Sequence, residues 1–432
     1  MKKVFTRFIQ FILTVLLITV LYFFIPGVWN YFVTYPKLDG QIEQIREKRK
    51  HPAKKSNLNE YRGLIHTHSY WSHDSRGTLG EIIPAAKKAN IDFIFFTDHE
   101  RAVLDTFPRG YHGMHENILM VPGTENHDLV VWPLTEMVVD WRKKNPVIIK
   151  EIIDAGGLVF FPHCEEKRPW LNPDYQGMEI YNIHTDIKDG ESYSDILFNT
   201  IVNQNKYRHW IYRELFDEQT AILARWDSLN TWRRIVGYSA VDAHENQNIR
   251  ARFLPDGRVE WLGPNANPID TVEVGLLEKI LLSEPDENGW AFKLYLDTFY
   301  HSYNFVNNHV LADSLEKRNI AKHLLQGHIF ISFASLADAE GFLFYAENES
   351  GDLIGIMGDA LKLQDVKNFA AESPLPGRFR LLRNGKIIDE KYDSYSYRSA
   401  NILEKGVYRF EVAINFDSKW VPWIYSNPIY VE

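Results

Sequence analysis

The chain has 432 residues, of which 45% are hydrophobic and 24% are charged, a composition typical of globular proteins with a sizeable core. Its formal net charge of -9 argues against a general nucleic-acid-binding protein, which would present a basic surface to the phosphates. A single cysteine, Cys164, excludes an internal disulfide framework and a multi-cysteine zinc site.

The first element in chain order is an apolar segment at residues 8–25, which is long enough to span a bilayer. Aromatic residues follow it, and it lacks the small-residue cleavage site of a secretory signal. We therefore predict a single-pass membrane anchor over residues 1–35 and, from the charged residues 36–58, a juxtamembrane stalk. Basic residues before the apolar segment favour an extracytoplasmic location for the rest of the chain, although basic residues between 37 and 50 compete with them.

From residue 61 onward, short apolar runs end in side chains that can bind metal ions. Six runs end in this way, at His66 and His68, at Asp98 and His99, at Glu125, at His163, at His184, and at Asp242 and His244. Apolar runs of this length, alternating with helical patterns, are typical of parallel strands buried on both faces. They predict an α/β barrel whose site lies at the carboxyl ends of the strands. Imidazole and carboxylate ligands suit zinc, manganese or iron.

The segments between and after these runs predict helices and a hairpin. A capping box formed by Thr78 and Glu81 predicts the start of the first helix. Apolar spacing and turn residues predict helices over 79–89, 147–155, parts of 190–235 and 307–326, the last closing the barrel, and a hairpin around 256–257.

From about residue 329 the pattern changes to short alternating strands, with an Asn384-Gly385 hairpin signal. We therefore expect the barrel to cover residues 59–328 and a C-terminal β-sandwich to cover 329–432. The sequence does not identify a partner for this β domain.

The motifs at the run ends resemble those of the PHP (polymerase and histidinol phosphatase) superfamily, over about residues 60–250. They are His66-x-His68, Thr97-Asp98-His99, Gly123-x-Glu125, Pro162-His163, Asn182-Ile183-His184 and Asp242-x-His244. The resemblance implies a distorted (β/α)7 barrel and nine ligands for two or three divalent ions. These ligands would be His66, His68, Asp74, His99, Glu125, His163, His184, Asp242 and His244. Either His73 or Asp74 can occupy the third position, for which the spacing favours Asp74.

Two or three divalent ions held close together convert a bound water into hydroxide near neutral pH. With the resemblance, this chemistry predicts that a metal-bridging hydroxide hydrolyses the phosphate ester of a small molecule or phosphopeptide. Glu125, Asp242 and His184 are the predicted catalytic residues, and Glu125 would bridge two ions. Two other functions stay open: a non-catalytic scaffold that binds a surface partner, and hydrolysis of a non-phosphorus bond at the same ions.

Residues beside the motifs are candidates for substrate contacts. They are Arg76 after the first motif and Lys167, Arg168 and Trp170 after the fourth, and each is equally well explained as a solvated loop residue. Cys164 is interpreted as a small buried side chain, and Glu179 and Asn182 as structural residues within their strand.

Overall fold

The computed structural model describes residues 2–75, 77–99, 103–105, 110–189, 193–264, 267–287, 289–295, 297–402 and 404–432. This part of the chain is a mixed α/β protein with large sheets and an apolar N-terminal helix. Its α-helices are α1 (Lys2–Trp29), α2 (Tyr35–Arg46), α3 (Leu79–Lys88), α4 (Asn145–Asp154), α5 (Ile183–Asp189), α6 (Tyr193–Asn203), α7 (Arg208–Glu214), α8 (Thr220–Asn230), α9 (Leu276–Leu281), α10 (Phe299–Tyr303) and α11 (Lys317–Gln326). A π-helical turn, Asn30–Thr34, connects α1 to α2, and a 3-10 turn covers Leu363–Asp365.

The strands divide into those before and those after α9. The first group is β1 (Asn59–Thr67), β2 (Phe93–Phe95), β3 (Val103–Asp105), β4 (Gly113–His115), β5 (Ile118–Val121), β6 (Thr124–Asn126), β7 (Leu129–Trp132), β8 (Val138–Asp140), β9 (Leu158–Phe161), β10 (Gly177–Asn182), β11 (Val236–Ala243), β12 (Asn248–Phe253), β13 (Val259–Leu262) and β14 (Pro268–Val272). The second group is β15 (Phe292–Tyr295), β16 (Asn307–Ala312), β17 (Ile329–Ser332), β18 (Leu343–Glu347), β19 (Leu353–Ile356), β20 (Ala360–Leu361), β21 (Asn368–Arg383), β22 (Lys386–Arg398), β23 (Gly406–Phe416), β24 (Lys419–Ser426) and β25 (Ile429–Val431).

A set of parallel strands positions the candidate site. Strand β1 pairs in parallel with β2 and β11, β2 pairs with β5, and β10 pairs with both β11 and β9. Every residue of β9, β10 and β11 is buried, which explains why these strands read as continuous apolar runs. Because the strands are parallel, their carboxyl ends meet on one side of the protein.

Helix α3 begins as its sequence predicts. The Glu81 carboxylate accepts a hydrogen bond from the backbone N–H of Thr78 at 3.2 Å, so the predicted capping box is confirmed. Pro84 lies inside the helix.

The predicted helix over 307–326 is wrong in its first part. Residues 307–312 form β16, which pairs antiparallel with β1, and α11 begins only at Lys317. The amide of Asn308 exchanges two hydrogen bonds of 2.8 Å with the backbone N–H and C=O of Ser239 in β11. A neighbouring strand therefore satisfies this polar residue, and no local pattern in the sequence shows that partner.

Both predicted hairpins are confirmed. Strands β12 and β13 flank the 256–257 turn, and β14 and β15, which were not predicted, complete a four-stranded sheet with them. The turn between β21 and β22 has φ of 51° at Asn384 and 76° at Gly385, the positive values that a two-residue hairpin turn requires.

The C-terminal strands continue the hydrogen-bonded network of the parallel set. Strand β17 pairs with β16 on one side and with β24 on the other, while β21 pairs with β18, β22 and β23. In the described part of 340–432, the helical structure is limited to the 3-10 turn. The barrel and the β-sandwich themselves stay predictions.

Within the described residues, one helical segment, Gln10–Arg46, is long and apolar enough to cross a membrane. The end of this segment and the residues after it lie against the folded body. The Arg46 Nε donates to the carbonyl of Leu336 at 3.1 Å, and the Lys50 N–H donates to the carbonyl of Pro374 at 2.8 Å. Residues in the predicted stalk therefore contact the same part of the protein as the C-terminal strands.

A buried ion pair joins α8 to β23 and generates a stability prediction. The Arg409 guanidinium donates to both Asp227 oxygens, at 2.5 and 2.8 Å. Asp227→Ala leaves this buried cation with Glu411 alone, so we expect the free energy of unfolding to fall by about 3 kcal/mol. Urea unfolding of the detergent-solubilised chain measures it.

The matched control is Glu151→Ala, which removes a half-exposed partner of Lys143. An exposed pair contributes at most about 1 kcal/mol. Equal losses for the two variants would contradict a structural role for the buried pair.

Candidate metal centre

The side chains predicted to bind metal ions converge at the carboxyl ends of the parallel strands. Two groups of them have ligand atoms that all lie within 4.8 Å of one another. The first group is His66, His68, Glu125 and Asp242, and the second is His68, Asp74, His99 and His244.

The two remaining residues contact the first group. The Nε2 atom of His163 lies 3.1 Å from Oε1 of Glu125, and Nδ1 of His184 lies 3.1 Å from Oδ2 of Asp242. All nine predicted ligands therefore belong to one connected set, called here the nine-residue cluster.

Of the two candidates for the third position, Asp74 has the better contacts. Its Oδ2 atom lies 3.1 Å from Nε2 of His244, and the Ser72 hydroxyl donates to its Oδ1 at 2.7 Å. His73 has a side chain that is 47% exposed and lies beside Asp74. The geometry favours Asp74 in the cluster and His73 at its rim.

The Glu125 carboxylate lies between two imidazoles. Its Oε2 atom lies 2.8 Å from Nε2 of His66, while its Oε1 atom lies 3.1 Å from Nε2 of His163. The two oxygens of one buried side chain thus face different imidazoles.

The backbone is strained at three members of the cluster. His66, His163 and Asp242 have φ of 72°, 47° and 46°, in a region that residues with a Cβ atom rarely adopt. Such a conformation costs on the order of 1–3 kcal/mol per residue and persists where the surrounding structure fixes it, as at functional sites.

Glu179 in β10 contacts the cluster and was not predicted to have this role. Its Oε1 atom lies 2.5 Å from Nδ1 of His66, and its Oε2 atom accepts from the His163 N–H at 2.7 Å and from the Asn182 amide at 3.0 Å. A carboxylate within a fully buried strand requires such partners, and this is the sequence signal that could have identified it. By binding Nδ1, Glu179 leaves Nε2 of His66 facing the cluster.

Neighbouring charges within the cluster shift the pKa values of its members and stabilise their charged forms. Burial alone would raise the pKa of Glu125, but His66 and His163 hold it well below its usual range. Burial alone would lower the pKa of His163 and of His244, but the carboxylates beside them, Glu125 and Asp74 foremost, raise both values to about 9.

The arrangement fits divalent cations. Among the described residues, Oδ1 of Asp242 is buried without a hydrogen-bond donor, although it lies 3.2 Å from Nε2 of His68. Burial and the neighbouring His244 lower the pKa of His68 well below its usual value, so its imidazole is neutral and can offer a lone pair. Imidazole nitrogens and carboxylate oxygens are the ligands that zinc, manganese and iron prefer.

A cavity of about 640 Å³ opens beside the cluster and is lined in part by His99, Glu125 and His163. Trp141 and Arg142 also line it, and neither was predicted as a site residue. The Arg142 side chain is 79% exposed and pairs with Asp140, so it is an exposed cation at the edge of the cavity.

The predicted substrate contacts have different surroundings. Arg168 is buried in the cavity wall, where its Nε donates to the carbonyl of Pro162 at 3.0 Å and its Nη1 lies 2.7 Å from Asp128. Trp170 is partly buried and packs against Phe161, and Lys167 is exposed. Arg76 lies outside the described residues.

Removing the charge of Glu179 should weaken metal binding without removing a ligand. We expect Glu179→Gln to reduce metal affinity by about 10–100-fold, because the hydrogen bond that orients His66 loses its ionic acceptor. Elemental analysis after dialysis against a graded metal buffer measures the change. Glu165→Gln is the control, since this nearby carboxylate lies 3.8 Å from Nδ1 of His163 and does not contact His66; equal losses would contradict the assigned role.

The metal-free protein should lose stability as the pH rises. The pKa values of His163 and His244 are about 9 in the folded chain, above the unfolded value of about 6.5. Their stabilisation is therefore complete below about pH 6.5 and is lost as the pH rises through about 9. Thermal unfolding of the chelator-treated chain between these limits measures it.

Replacing both histidines by asparagine should flatten that pH dependence. In the parent chain, divalent ions compete with the protons on His163 and His244. Its metal affinity should therefore rise as the pH increases from about 6.5 to about 9. A metal-free stability that increases with pH would contradict the charge assignment.

No family model matches the sequence, and no curated protein matches it. Among solved structures, the chain is similar to a two-domain protein from Bacteroides vulgatus ATCC 8482, described as containing a "predicted PHP-like metal-dependent phosphoesterase". The identity is 12%, the similarity covers 88% of this chain and 98% of that chain, and the TM-score is 0.33. A similarity with so low an identity and TM-score does not show the function of this chain.

Proposed function

We propose that this protein is a membrane-anchored, metal-dependent phosphoesterase of the PHP kind. The observation that carries the proposal is the convergence of all nine predicted ligands into one cluster of imidazoles and carboxylates. They come from six separate parts of the chain, so their meeting is not a consequence of local sequence. A cavity beside the cluster gives a substrate access to it.

Three positions in the cluster could each hold an ion. The two groups of four ligands would hold one ion each, and His163 and His184, with the carboxylates of Glu125 and Asp242, would hold a third. When bound, such ions supply hydroxide near neutral pH and polarise a phosphoryl group. The chain needs no serine or cysteine nucleophile for this chemistry.

The protein's own residues orient and shield these ligands. Glu179 fixes the ring of His66, and the side chain of Asn182 accepts from the backbone N–H of His184 at 2.8 Å. The His184 side chain is 40% exposed, the largest exposed fraction in the cluster, while Asp242 beside it is buried. We assign His99, Glu125 and His163, which line the cavity, to the side from which a substrate arrives. His184 would lie at a separate exposed edge of the cluster, beside the buried Asp242.

The substrate class follows from the cavity and the charge of the protein. An acidic chain with Arg142 as an exposed cation at the cavity suits a small phosphorylated molecule or a phosphopeptide better than a nucleic acid. Arg142 offers a phosphate contact that can turn inward from Asp140.

We also infer the finer architecture. The pairings lead from β1 through β2 and β5, along the chain into β6, then through β7, β9, β10 and β11 back to β1, which supports the distorted (β/α)7 barrel. The antiparallel strands after residue 329 would form the β-sandwich. Residues 8–25 would cross the membrane once, with the catalytic domain outside the cytoplasm.

A panel of phosphate monoesters and phosphopeptides, assayed with the full chain in detergent and with added zinc, manganese or iron, tests the proposal. We expect metal-dependent release of inorganic phosphate. Carboxylic ester and amide substrates form the second arm of the panel. Hydrolysis confined to that arm, or binding without any hydrolysis, would contradict phosphoesterase activity.

Glu125→Gln should abolish both metal retention and turnover. The loss of one carboxylate charge between two imidazoles should lower phosphate release by about 100-fold or more, because hydroxide formation depends on the ions held there. Elemental analysis and the phosphatase assay on one preparation measure both effects.

Cys164→Ala is the matched control, next to His163 in the chain. Its thiol is buried, donates to the carbonyl of Phe161 at 3.5 Å and has a pKa well above its usual value because of burial, so it is a poor nucleophile. We expect activity within a few-fold of the parent chain. Loss of turnover with metal retained in Cys164→Ala would favour a cysteinyl mechanism instead.

A further inference from the structure

We infer that α6 contacts the lipid bilayer beside α1 and so holds the folded body against the membrane surface. The partner is the bilayer itself, and the inference rests on the proposed membrane anchor. The inference goes beyond that anchor, because α6 would be a second point of contact with the membrane and belongs to the part of the chain that carries the nine-residue cluster.

The contact between α6 and α1 is close. The Phe198 ring lies 4.9 Å from the ring of Phe23, on which it stacks, and 4.9 Å from the ring of Phe24. A Cβ atom on Gly27 would lie 3.3 Å from Val202, so the glycine allows the helices to approach. The Asn203 amide donates to the Gly27 carbonyl at 2.9 Å.

The length of the apolar segment decides where this contact lies. Residues 8–25 give a helix of about 27 Å, and the hydrocarbon core of a bilayer is about 30 Å thick. Lifting Phe23 and Phe24 out of the bilayer would leave residues 8–22, or about 22 Å, which is too short to cross it. Because Phe198 packs on these two rings, α6 has to lie at the level of the bilayer boundary.

The surface of α6 and the residues after it suit that position. Ile201 is 39% exposed, an apolar side chain that lipid would cover. Lys206 follows the helix and lies over the rings of Tyr31 and Tyr207, at 5.6 and 4.6 Å. A lysine among aromatic rings is the arrangement found at membrane interfaces.

Polar contacts hold α6 against α2 and α7 and restrict their separation. The Asn199 amide donates to the Tyr35 hydroxyl at 2.6 Å and to Glu214 of α7 at 3.0 Å. The Tyr35 hydroxyl in turn donates to Glu214 at 2.9 Å. Moving the body away from the anchor would break these hydrogen bonds, including the buried one between Asn199 and Tyr35, at a cost in free energy for each buried group left unpaired.

Site-directed fluorescence on the full chain tests the inference. The starting variant is Cys164→Ala, into which a single reporter cysteine is introduced by Ile201→Cys and labelled with an environment-sensitive fluorophore. The protein is reconstituted in phosphatidylcholine vesicles that carry a nitroxide quencher at the upper acyl chain. Leu21→Cys reports on the anchor, and Ile387→Cys, an isoleucine on β22 that is 48% exposed, is the matched aqueous control.

We expect the label at position 201 to be quenched about three-fold or more strongly than the label at 387, because an interfacial helix lies at the boundary of headgroups and acyl chains. Quenching at 21 with none at 201, or equal quenching at 201 and 387, would overturn the α6 contact and leave the anchor intact. An unquenched label at 21 would overturn the anchor, and the contact with it.

A second variant tests the packing that positions α6. Adding Gly27→Leu places a side chain where Val202 now lies, so it should displace α6 and reduce the quenching at 201 at least two-fold while the label at 21 stays quenched. Unchanged quenching at 201 in this variant would contradict the role assigned to the α1–α6 contact.

Discussion

Charged side chains buried together at the ends of parallel strands are the constraint on which the rest of the structure depends. Glu125, Glu179 and Asp242 are almost inaccessible to solvent and lie within one small volume, where unpaired carboxylates would be prohibitively costly. In the metal-free chain, imidazolium groups neutralise these carboxylates. Bound divalent ions could neutralise them instead. The strained backbone at His66 and His163 is therefore understandable, since relaxing it would move a partner away from these carboxylates.

The C-terminal half of the chain supports this arrangement through β11, the strand that carries Asp242. Two asparagine side chains from later in the chain bind its backbone. Asn308 exchanges hydrogen bonds with Ser239, and Asn427 exchanges two more, of 2.9 and 2.7 Å, with Gly237. Asn427 directly follows β24, so the last strands of the protein fix the position of a candidate catalytic residue. The antiparallel region thus contributes to the site without supplying a ligand.

The sequence predicts those features of the site that depend on short-range pattern. Apolar runs ending in histidine or carboxylate mark the strand ends, since a strand buried on both faces has to be apolar along its length. Glu179 and the strand at 307–312 were missed because their explanation lies far away in the chain. The partner of Glu179, His66, is 113 residues earlier, and Asn308 is stabilised by a strand 69 residues earlier. Polar residues satisfied by tertiary hydrogen bonds look like loop or helix residues in a local window.

Helix α2, α7 and the C-terminal sheet pack as one unit, which limits how the proposed enzyme can move. Asp39 of α2 accepts a 2.7 Å hydrogen bond from the Trp210 indole, and the same indole stacks on Phe416 of β23 at 5.4 Å. The helix that follows the apolar segment is therefore joined to α7, which in turn packs on β23. Rotation of the body relative to the helix would expose these aromatic rings to water, at a cost that grows with the apolar area uncovered. These contacts restrict the angle between α2 and the body. With the proposed anchor in a bilayer, a substrate would reach the nine-residue cluster from one constant direction relative to that bilayer.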